Sequence, residues 1–201
     1  NNCTKIESIS ISEPNVILVN IAHDDVLCNG GNNGSATASG NGGTGNITYN
    51  WSNGMNGQTI LNLGAGTYIV TATDANNCFE TESITISEPT EIVVTITQIN
   101  VFCNGENDGS ATASGNGGVG GFSYNWSNGI NGSTISNLSA GTYTVTATDT
   151  NNCEKIETVT ISEPSAVVVN ISQTNILCNG ENNGSATASG NGGTGSFNYI
   201  W

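Results

Sequence analysis

The sequence predicts an all-β protein made of tandem β-sandwich domains, and two observations carry that prediction. The first is a fixed period, because Trp51, Trp126 and Trp201 stand 75 residues apart (126 − 51 = 75). The second is composition: runs of Thr, Val, Ile and Ser alternate with Gly-rich turns, and the chain has 27 Gly but only 3 Pro. Short strands between turns spaced roughly eight to twelve residues apart are typical of sandwiches and barrels.

The period also divides the chain into domains. Each copy ends in a Glu-Pro pair, and Pro closes the last strand because it cannot donate to a ladder. We therefore expect four segments: residues 1–14 as the last strand of a preceding repeat, 15–89 and 90–164 as complete repeats, and 165–201 as the N-terminal part of a following repeat. Repeats that contact only their neighbours predict an extended rod.

The second complete repeat shows the expected strands in order. Alternating apolar residues and turn signals predict strands at residues 91–103, 110–114, 122–126, 134–138, 141–148 and 153–162. In the first of these the alternation shifts by one residue between Ile96 and Ile99, which predicts a kink or bulge in mid-strand. The Gly-rich segment 115–121 predicts a tight loop before the third strand.

Two aromatic residues favour an immunoglobulin-like sandwich. Trp126 lies on the third strand, where such folds bury a Trp, and Tyr143 follows Leu138 and Gly141 in the spacing of a tyrosine corner. The predicted core of the two repeats consists of Trp51, Tyr68, Val70, Trp126, Tyr143 and Val145, together with Ile86 and Ile161.

Charge excludes several classes of partner. The net charge is −14, and the only strong cations are Lys5 and Lys155. Binding to nucleic acid needs clustered Lys and Arg, so it is excluded, and adsorption to anionic lipid is disfavoured. No apolar run is long enough to span a bilayer, so we expect no membrane insertion.

The repeated motifs resemble a known family. They are Cys-Asn-Gly-x-Asn-x-Gly-Ser-Ala-Thr, Tyr-x-Trp-Ser-Asn-Gly, Leu-x-Ala-Gly-Thr-Tyr-x-Val-Thr-Ala-Thr-Asp-x-Asn-x-Cys and Ile-Ser-Glu-Pro, of which the copy from Cys103 to Pro164 is one example. They resemble the SprB-type repeats of giant surface adhesins from gliding Bacteroidota, which are broadly similar to PKD-like domains. The resemblance covers nearly every residue, and it implies an extracellular, cell-surface protein exported by the type IX route.

No residue set predicts an enzyme. The single histidine, His23, is replaced by Gln98 and Gln173 at the equivalent positions of the other copies, so a catalytic role is improbable. Asp74 and Asp149 follow a long strand, where an Asp usually satisfies its own backbone. We therefore expect neither an enzyme nor a cofactor.

Calcium is the one ligand with a physical case. Asn104, Glu106 and Asp108 alternate along a short loop, as oxygen ligands of a hard cation would. The first copy of the loop carries no charge at the equivalent positions, and the third keeps only Glu181. An Asx-rich turn is therefore the favoured interpretation, and calcium is the minority alternative.

The six cysteines fall into two periodic classes, typical of a disulfide framework in an oxidising compartment. The strand directions of an immunoglobulin-like sandwich place Cys28 and Cys103 at the bottom of their repeats, and Cys78 and Cys153 at the top. The bottom of one repeat is expected next to the top of its successor, which predicts the pair Cys28–Cys153. Pairing within repeats, Cys28–Cys78 and Cys103–Cys153, is the alternative. The remaining cysteines would pair with repeats outside this chain or stay unpaired.

The leading hypothesis is a structural module of the stalk of a surface adhesin. Its partners would be neighbouring repeats of the same chain, with surface polysaccharide bound through distal regions. The rival is a repeated carbohydrate- or ice-binding module that presents rows of threonines. Thr144, Thr146 and Thr148 alternate on one strand, as do Thr71 and Thr73.

Overall fold

The computed structural model describes residues 3–201, and in these residues it contains strands and no helix. The fourteen strands are β1 (Leu18–Asp24), β2 (Gly34–Asn41), β3 (Thr48–Trp51), β4 (Thr59–Leu63), β5 (Gly66–Thr73), β6 (Phe79–Ile86), β7 (Val93–Ile99), β8 (Gly109–Asn116), β9 (Ser123–Trp126), β10 (Thr134–Leu138), β11 (Gly141–Thr148), β12 (Glu154–Ile161), β13 (Val168–Thr174) and β14 (Ser185–Asn191). The prediction of an all-β chain is confirmed.

The chain forms two compact units, residues 1–91 and 92–201. In the first unit, one sheet has the order β1-β2-β4 and the other β3-β5-β6, and every pairing is antiparallel. The second unit repeats this arrangement with β7-β8-β10 and β9-β11-β12. Each is a six-stranded sandwich of the immunoglobulin-like type, with a short connection between its third and fourth strands.

The core of each sandwich lies between the two sheets. In the first unit it contains Ala36 and Ala38 of β2, Trp51 of β3, and Val70 of β5, all of them buried. In the second unit Trp126 is only 1 % exposed and lies opposite Val145 on the neighbouring strand. Each tryptophan also satisfies its one polar group, because Nε1–H donates to the carbonyl oxygen of Gly57 or Gly132 at 3.0 Å. The apolar faces of both sheets therefore converge on one Trp in each unit.

The two predicted core tyrosines lie differently from the expectation. Tyr68 and Tyr143 are half-buried rather than buried. The phenolic hydroxyl of Tyr68 donates to the Gly64 carbonyl at 3.1 Å, and that of Tyr143 to the Ser139 carbonyl at 3.0 Å. Each ring therefore lies at the rim, where its hydroxyl fixes the turn four residues upstream in the manner of a tyrosine corner.

The first strand of each sandwich changes sheets near its end. β1 pairs with β2 as far as Asp24, and Val26 then donates its N–H to the Ser87 carbonyl beyond β6, at 2.9 Å. Val101 makes the same bond to Ser162 in the second unit, at 3.0 Å. The shifted apolar alternation coincides with this switch: Val94 before it and Val101 after it are both buried, whereas Ile99, the first residue of the shifted pattern, is exposed.

An irregularity interrupts the edge strands β4 and β10. Asn62 and Asn137 adopt positive φ angles of 59° and 57°. The pairing of β10 with β8 shifts register between Ser136 and Leu138, and the pairing of β4 with β2 shifts in the same way. Asn tolerates this left-handed conformation better than most residues, so a bulge is tolerated at this position.

The two terminal segments lack the partners that their copies have. Residues 3–14 contain no strand, although the sequence predicts one for residues 1–14. Their copy, β6, pairs with β5, and the 201 residues hold no copy of β5 ahead of this segment. The segment 165–201 forms the two-stranded sheet β13-β14, and Trp201 is 75 % exposed.

Candidate functional sites at the two poles of the sandwich

Each sandwich has two poles that its strands define. At the upper pole, where β1 begins, the loop 42–47 meets the turn between β5 and β6. Here the N–H of Gly43 donates to the Asn15 carbonyl at 2.7 Å. At the lower pole, the turn after β1 contains Cys28 and lies against the segment that follows β6. In a modular array the poles are the parts from which the chain passes to a neighbour, so we treat them as the candidate sites.

A set of hydrogen bonds at the lower pole, which we call the Glu-Pro clamp, holds the segment leaving β6. In the first unit the N–H of Gly30 donates to Glu88 Oε2 at 2.6 Å. Asn29 Nδ2 donates to Glu88 Oε1 at 3.1 Å and to the Pro89 carbonyl at 3.0 Å. Gly30 has a φ of +72°, which a turn of this shape requires and which Gly adopts without strain. The clamp fixes the direction in which the chain leaves the sandwich.

The second unit builds the same clamp from the equivalent residues. The N–H of Gly105 donates to Glu163 Oε2 at 2.7 Å, and Asn104 Nδ2 donates to the Pro164 carbonyl at 3.1 Å. A bond from backbone N–H to an ionised carboxylate is stronger than a neutral one. Both units thus hold the segment that follows their last strand in the same way.

The clamp is supported by a second bond beside the sheet switch. Asp25 Oδ1 accepts from the N–H of Ser87 at 2.8 Å. Hydrogen bonds from the Ser87 side chain and backbone lower the pKa of Asp25. In the second unit Asn100 replaces the acid and accepts from the N–H of Ser162 at 3.0 Å. The contact therefore survives without a charge.

At the upper pole, a buried aspartate organises the turn between the last two strands. Asp149 Oδ2 accepts from the N–H of Val119 at 2.9 Å, and Oδ1 accepts from Asn151 at 2.8 Å and Cys153 at 2.9 Å. Burial raises the pKa of Asp149, but the three N–H donors together outweigh burial, and the pKa lies below its ordinary value. The carboxylate thus ties the Gly-rich loop to the turn.

Asp74 does the same in the first unit. Its pKa is lowered chiefly by the N–H of Thr44, against the opposing effect of burial, with further contributions from the N–H groups of Cys78 and Asn76. Only 5 % of either aspartate is exposed. The sequence prediction that these residues satisfy local backbone omitted the longer reach to the Gly-rich loop.

The cysteines occupy both poles. Cys28 and Cys153 are disulfide-bonded, whereas Cys3, Cys78, Cys103 and Cys178 are free and exposed. The alternative pairs Cys28–Cys78 and Cys103–Cys153 are therefore not formed. The pairing of Cys28 with Cys153 stays a prediction.

Distance explains why pairing within a unit fails. Cys78 precedes β6 at the upper pole, and Cys28 lies beside the clamp beyond the other end of that strand. Eight strand residues span about 27 Å, whereas the Cα atoms of a disulfide approach to about 4.4–6.8 Å. The two cysteines of one unit are thus a strand length apart.

The candidate calcium loop is occupied by its own hydrogen bonds. Asp108 Oδ1 accepts from the N–H of Phe102 at 3.1 Å, and Asn104 holds Pro164 in the clamp. The backbone N–H of Glu106 closes the turn onto the Cys103 carbonyl at 3.2 Å. Among residues 3–201, no group of three or more His, Cys, Asp or Glu side chains is placed to hold a metal ion.

The remaining candidates do not converge on a binding surface. Thr144, Thr146 and Thr148 are half-buried, and the hydroxyls of Thr144 and Thr158 bond each other at 3.3 Å. His23 is exposed and lies 3.7 Å from the carboxylate of Asp25. In the part of the chain that the structure describes, no helix has the length and apolar character needed to cross a membrane.

Sequence reasoning missed the clamp. Glu88, Glu163, Asn29 and Asn104 were not among the expected functional residues, apart from Asn104 as a calcium ligand. The available signal was the joint recurrence of Cys-Asn-Gly and Ser-Glu-Pro in each copy, about 60 residues apart. Turn propensity accounts for each motif separately, so nothing in the sequence required them to meet.

The fold and the two poles define a tandem all-β repeat module in which both complete copies make the same contacts where the chain leaves the sandwich. A family model described as SprB repeat matches the chain three times, at residues 21–56, 95–131 and 170–201, which is more than half of its length. The chain belongs to the SprB repeat family. The SprB repeat is a structural repeat of cell-surface or extracellular adhesins and gliding-motility proteins, and it is not an enzyme family. A search of the curated proteins found no match.

Proposed function

We propose that this chain is a segment of the stalk of a cell-surface adhesin, in which successive sandwiches transmit force between the cell and a distal binding region. The observation that carries the proposal is the Glu-Pro clamp, present in both complete repeats. A flexible spacer has no need to fix where the chain leaves each domain. A shaft does, because its stiffness depends on the joints between domains.

The length of the connection supports the same reading. The clamp ends at Pro89, and β7 begins at Val93, so few residues separate the lower pole of the first sandwich from the first strand of the second. A connector this short differs from the long Gly/Ser-rich linkers that behave as random coils.

We further propose that the disulfide Cys28–Cys153 staples the two sandwiches together. Cys28 belongs to the lower pole of the first unit and Cys153 to the upper pole of the second, and the chain passes between these poles through the short connector. A staple between successive poles would restrain bending at the joint. The partners of each repeat would then be the neighbouring repeats of the same chain.

The same proposal covers chemistry and location. We propose that the module is not an enzyme, needs no cofactor and leaves binding of surface polysaccharide to distal regions. Export by the type IX route is part of the proposal and rests on the resemblance to repeats of gliding Bacteroidota. The half-buried threonines give the alternative of a carbohydrate- or ice-binding module no specific support.

Two measurements on the whole chain test the proposal. Small-angle scattering of the oxidised protein should give an extended particle, and a compact globule would contradict the stalk. Non-reducing peptide mapping should recover Cys28 linked to Cys153. Recovery of Cys28 linked to any other cysteine of the chain would show that the staple is wrong, while the shape measurement would still bear on the stalk.

A further inference from the structure

The second sandwich contains four Asn-Gly pairs, a sequence that can react with itself. In residues 92–164, all of which the structure describes, the pairs begin at Asn104, Asn116, Asn128 and Asn131. In such a pair the backbone nitrogen of the glycine can attack the side-chain amide carbon of the asparagine, and the missing Cβ leaves that nitrogen open to close approach. The fold favours this attack where the nitrogen lies against the side-chain carbonyl of its own asparagine, and opposes it where the N–H is held elsewhere.

In three of the pairs the N–H of the glycine is held by a different group. A nitrogen bonded in this way is turned toward its acceptor and away from the amide carbon that it would attack. The bonds run from Gly105 to Glu163 Oε2 at 2.7 Å, from Gly129 to the Trp126 carbonyl at 2.8 Å and from Gly132 to the Tyr124 carbonyl at 3.0 Å.

Two of these pairs also have a bonded asparagine side chain. Asn104 Nδ2 donates to the Pro164 carbonyl at 3.1 Å. Asn128 Oδ1 accepts from the N–H of Ile130 at 3.2 Å. Both side chains must leave these contacts before their amide carbons can be attacked, so the fold protects these pairs twice.

The pair Asn116-Gly117 has the opposite arrangement. The N–H of Gly117 donates to Asn116 Oδ1 at 2.7 Å, so the nitrogen already lies beside the amide group that it would attack. The φ of Gly117 is +83°, a conformation that Gly adopts without strain. Asn116 is the last residue of β8 and is exposed, which gives water and solvent base access to the pair.

We propose that Asn116 is a site of spontaneous deamidation. Solvent base removes the proton of the Gly117 nitrogen, which then forms a bond to Asn116 Cγ. The bond between Cγ and Nδ2 breaks, and Nδ2 takes a proton from water and leaves as ammonia. Water adds to either carbonyl carbon of the resulting cyclic succinimide and opens the ring, which gives an aspartyl or an isoaspartyl residue at position 116. The net reaction exchanges ammonia for water and adds one negative charge.

The change occurs where the upper pole depends on the exact length of the chain. Asn116 forms the last pair of the β7–β8 ladder, opposite Val93. Three residues later the N–H of Val119 donates to the buried carboxylate of Asp149 at 2.9 Å. An isoaspartyl residue lengthens the main chain by a methylene group between these two contacts. Deamidation therefore loosens the tie between the Gly-rich loop and Asp149 as the protein ages.

Ageing of the whole folded chain in mildly alkaline buffer tests the proposal. Peptide mapping by mass spectrometry follows each pair, and labelling with isoaspartyl methyltransferase detects the isoaspartyl product. Asn116 should react first, and Asn104, Asn128 and Asn131 should be slower by about two- to tenfold for each bond that must break, the factor to which the net free energy of a hydrogen bond corresponds. In denaturant the four pairs should react at similar rates, because the bonds that distinguish them are lost.

Substitutions separate the site from its consequence. In Asn116→Gln the longer side chain disfavours ring closure, so this variant should not react at position 116 and should keep the stability that the aged parent loses in chemical denaturation. Asn128→Gln is the matched control and should age as the parent does.

Three results would overturn parts of the proposal. If Asn116 of the folded chain reacts no faster than Asn128, the site is wrong. If Asn116 leads by the same margin in denaturant, local sequence and not the fold selects it, and the structural argument is wrong. If the deamidated parent is as stable as fresh protein, the site stands but its effect on the upper pole is wrong.

Discussion

The tryptophan of each repeat shows how much one side chain contributes to the sandwich. Trp126 joins the two sheets, is almost entirely buried and bonds the Gly132 carbonyl through its indole N–H. Trp126→Ala should lower the free energy of unfolding by about 3–5 kcal/mol, because a large core side chain leaves a cavity when it is truncated. Chemical denaturation of the whole chain measures the loss.

The chain supplies its own control for this change. Trp201 is the same residue of the period but is 75 % exposed. Trp201→Ala should leave the unfolding of both complete repeats unchanged. Equal effects of the two substitutions would contradict the assigned core.

The buried aspartates make stability depend on acid. The pKa of Asp149 is lowered in the folded state. The stability that its carboxylate contributes is therefore fully present above the ordinary pKa of about 3.9, and it is lost as the pH falls through the lowered value. Denaturation curves at a series of pH values below about 5 should show this loss in the parent and a flatter dependence in Asp149→Asn. Glu106→Gln, on an exposed turn, is the control, and a parental pH dependence in Asp149→Asn would contradict the role of the carboxylate.

At the scale of strands, much of the fold could be predicted from local pattern. The bounds of β10 and β11 coincide with those read from the alternation and the flanking glycines, and the shifted alternation of the first strand marks the switch between sheets. Period-two patterns specify strands because only one face meets the core. Strand identity was therefore accessible without tertiary information.

What could not be predicted depends on contacts distant in sequence. Asn29 meets Pro89 across 60 residues, and Asp149 reaches Val119 across 30. Neither contact changes the local alternation. Residues 3–14 show the converse case, since their pattern is that of a strand, yet a strand also needs a partner. The half-buried position of Tyr143 was missed because its hydroxyl, which bonds the Ser139 carbonyl, outweighs the preference of its ring for the core.

The Glu-Pro clamp makes a prediction for hydrogen exchange. In the parent the N–H of Gly105 is held by Glu163 Oε2, although Gly105 itself is exposed. Glu163→Ala removes this acceptor and should accelerate exchange at Gly105, while amides in β11 keep their protection. Exchange followed by NMR measures both.

The control for the clamp is a glutamate at the far end of β12, the strand that leads to Glu163. Glu154 is exposed at the start of β12, away from the lower pole. Glu154→Ala should leave the exchange of Gly105 at the parental rate. Unchanged exchange in Glu163→Ala would show that the clamp does not hold the segment in solution.

At the scale of the whole molecule, stability should not depend on calcium. Asn104 and Asp108 already hold Pro164 and the Phe102 N–H, so binding a cation through them would break bonds that the fold uses. Thermal unfolding of the chain should have the same midpoint in excess EDTA and in millimolar calcium. A midpoint raised by calcium and restored by EDTA would instead establish the minority interpretation of this loop.

The bulge at Asn62 and Asn137 has a consequence for how near-identical neighbours fold. Tandem copies this alike can exchange strands, because each strand matches the core of the next repeat as well as its own, and misassembly of this kind is characteristic of repeat proteins. β4 and β10 lie at open sheet edges, where a foreign strand would add first. They are five residues long and carry one residue in the left-handed conformation, and short, bulged edges disfavour the addition of a further strand. Such edges disfavour the exchange of strands between repeats that are almost copies of one another.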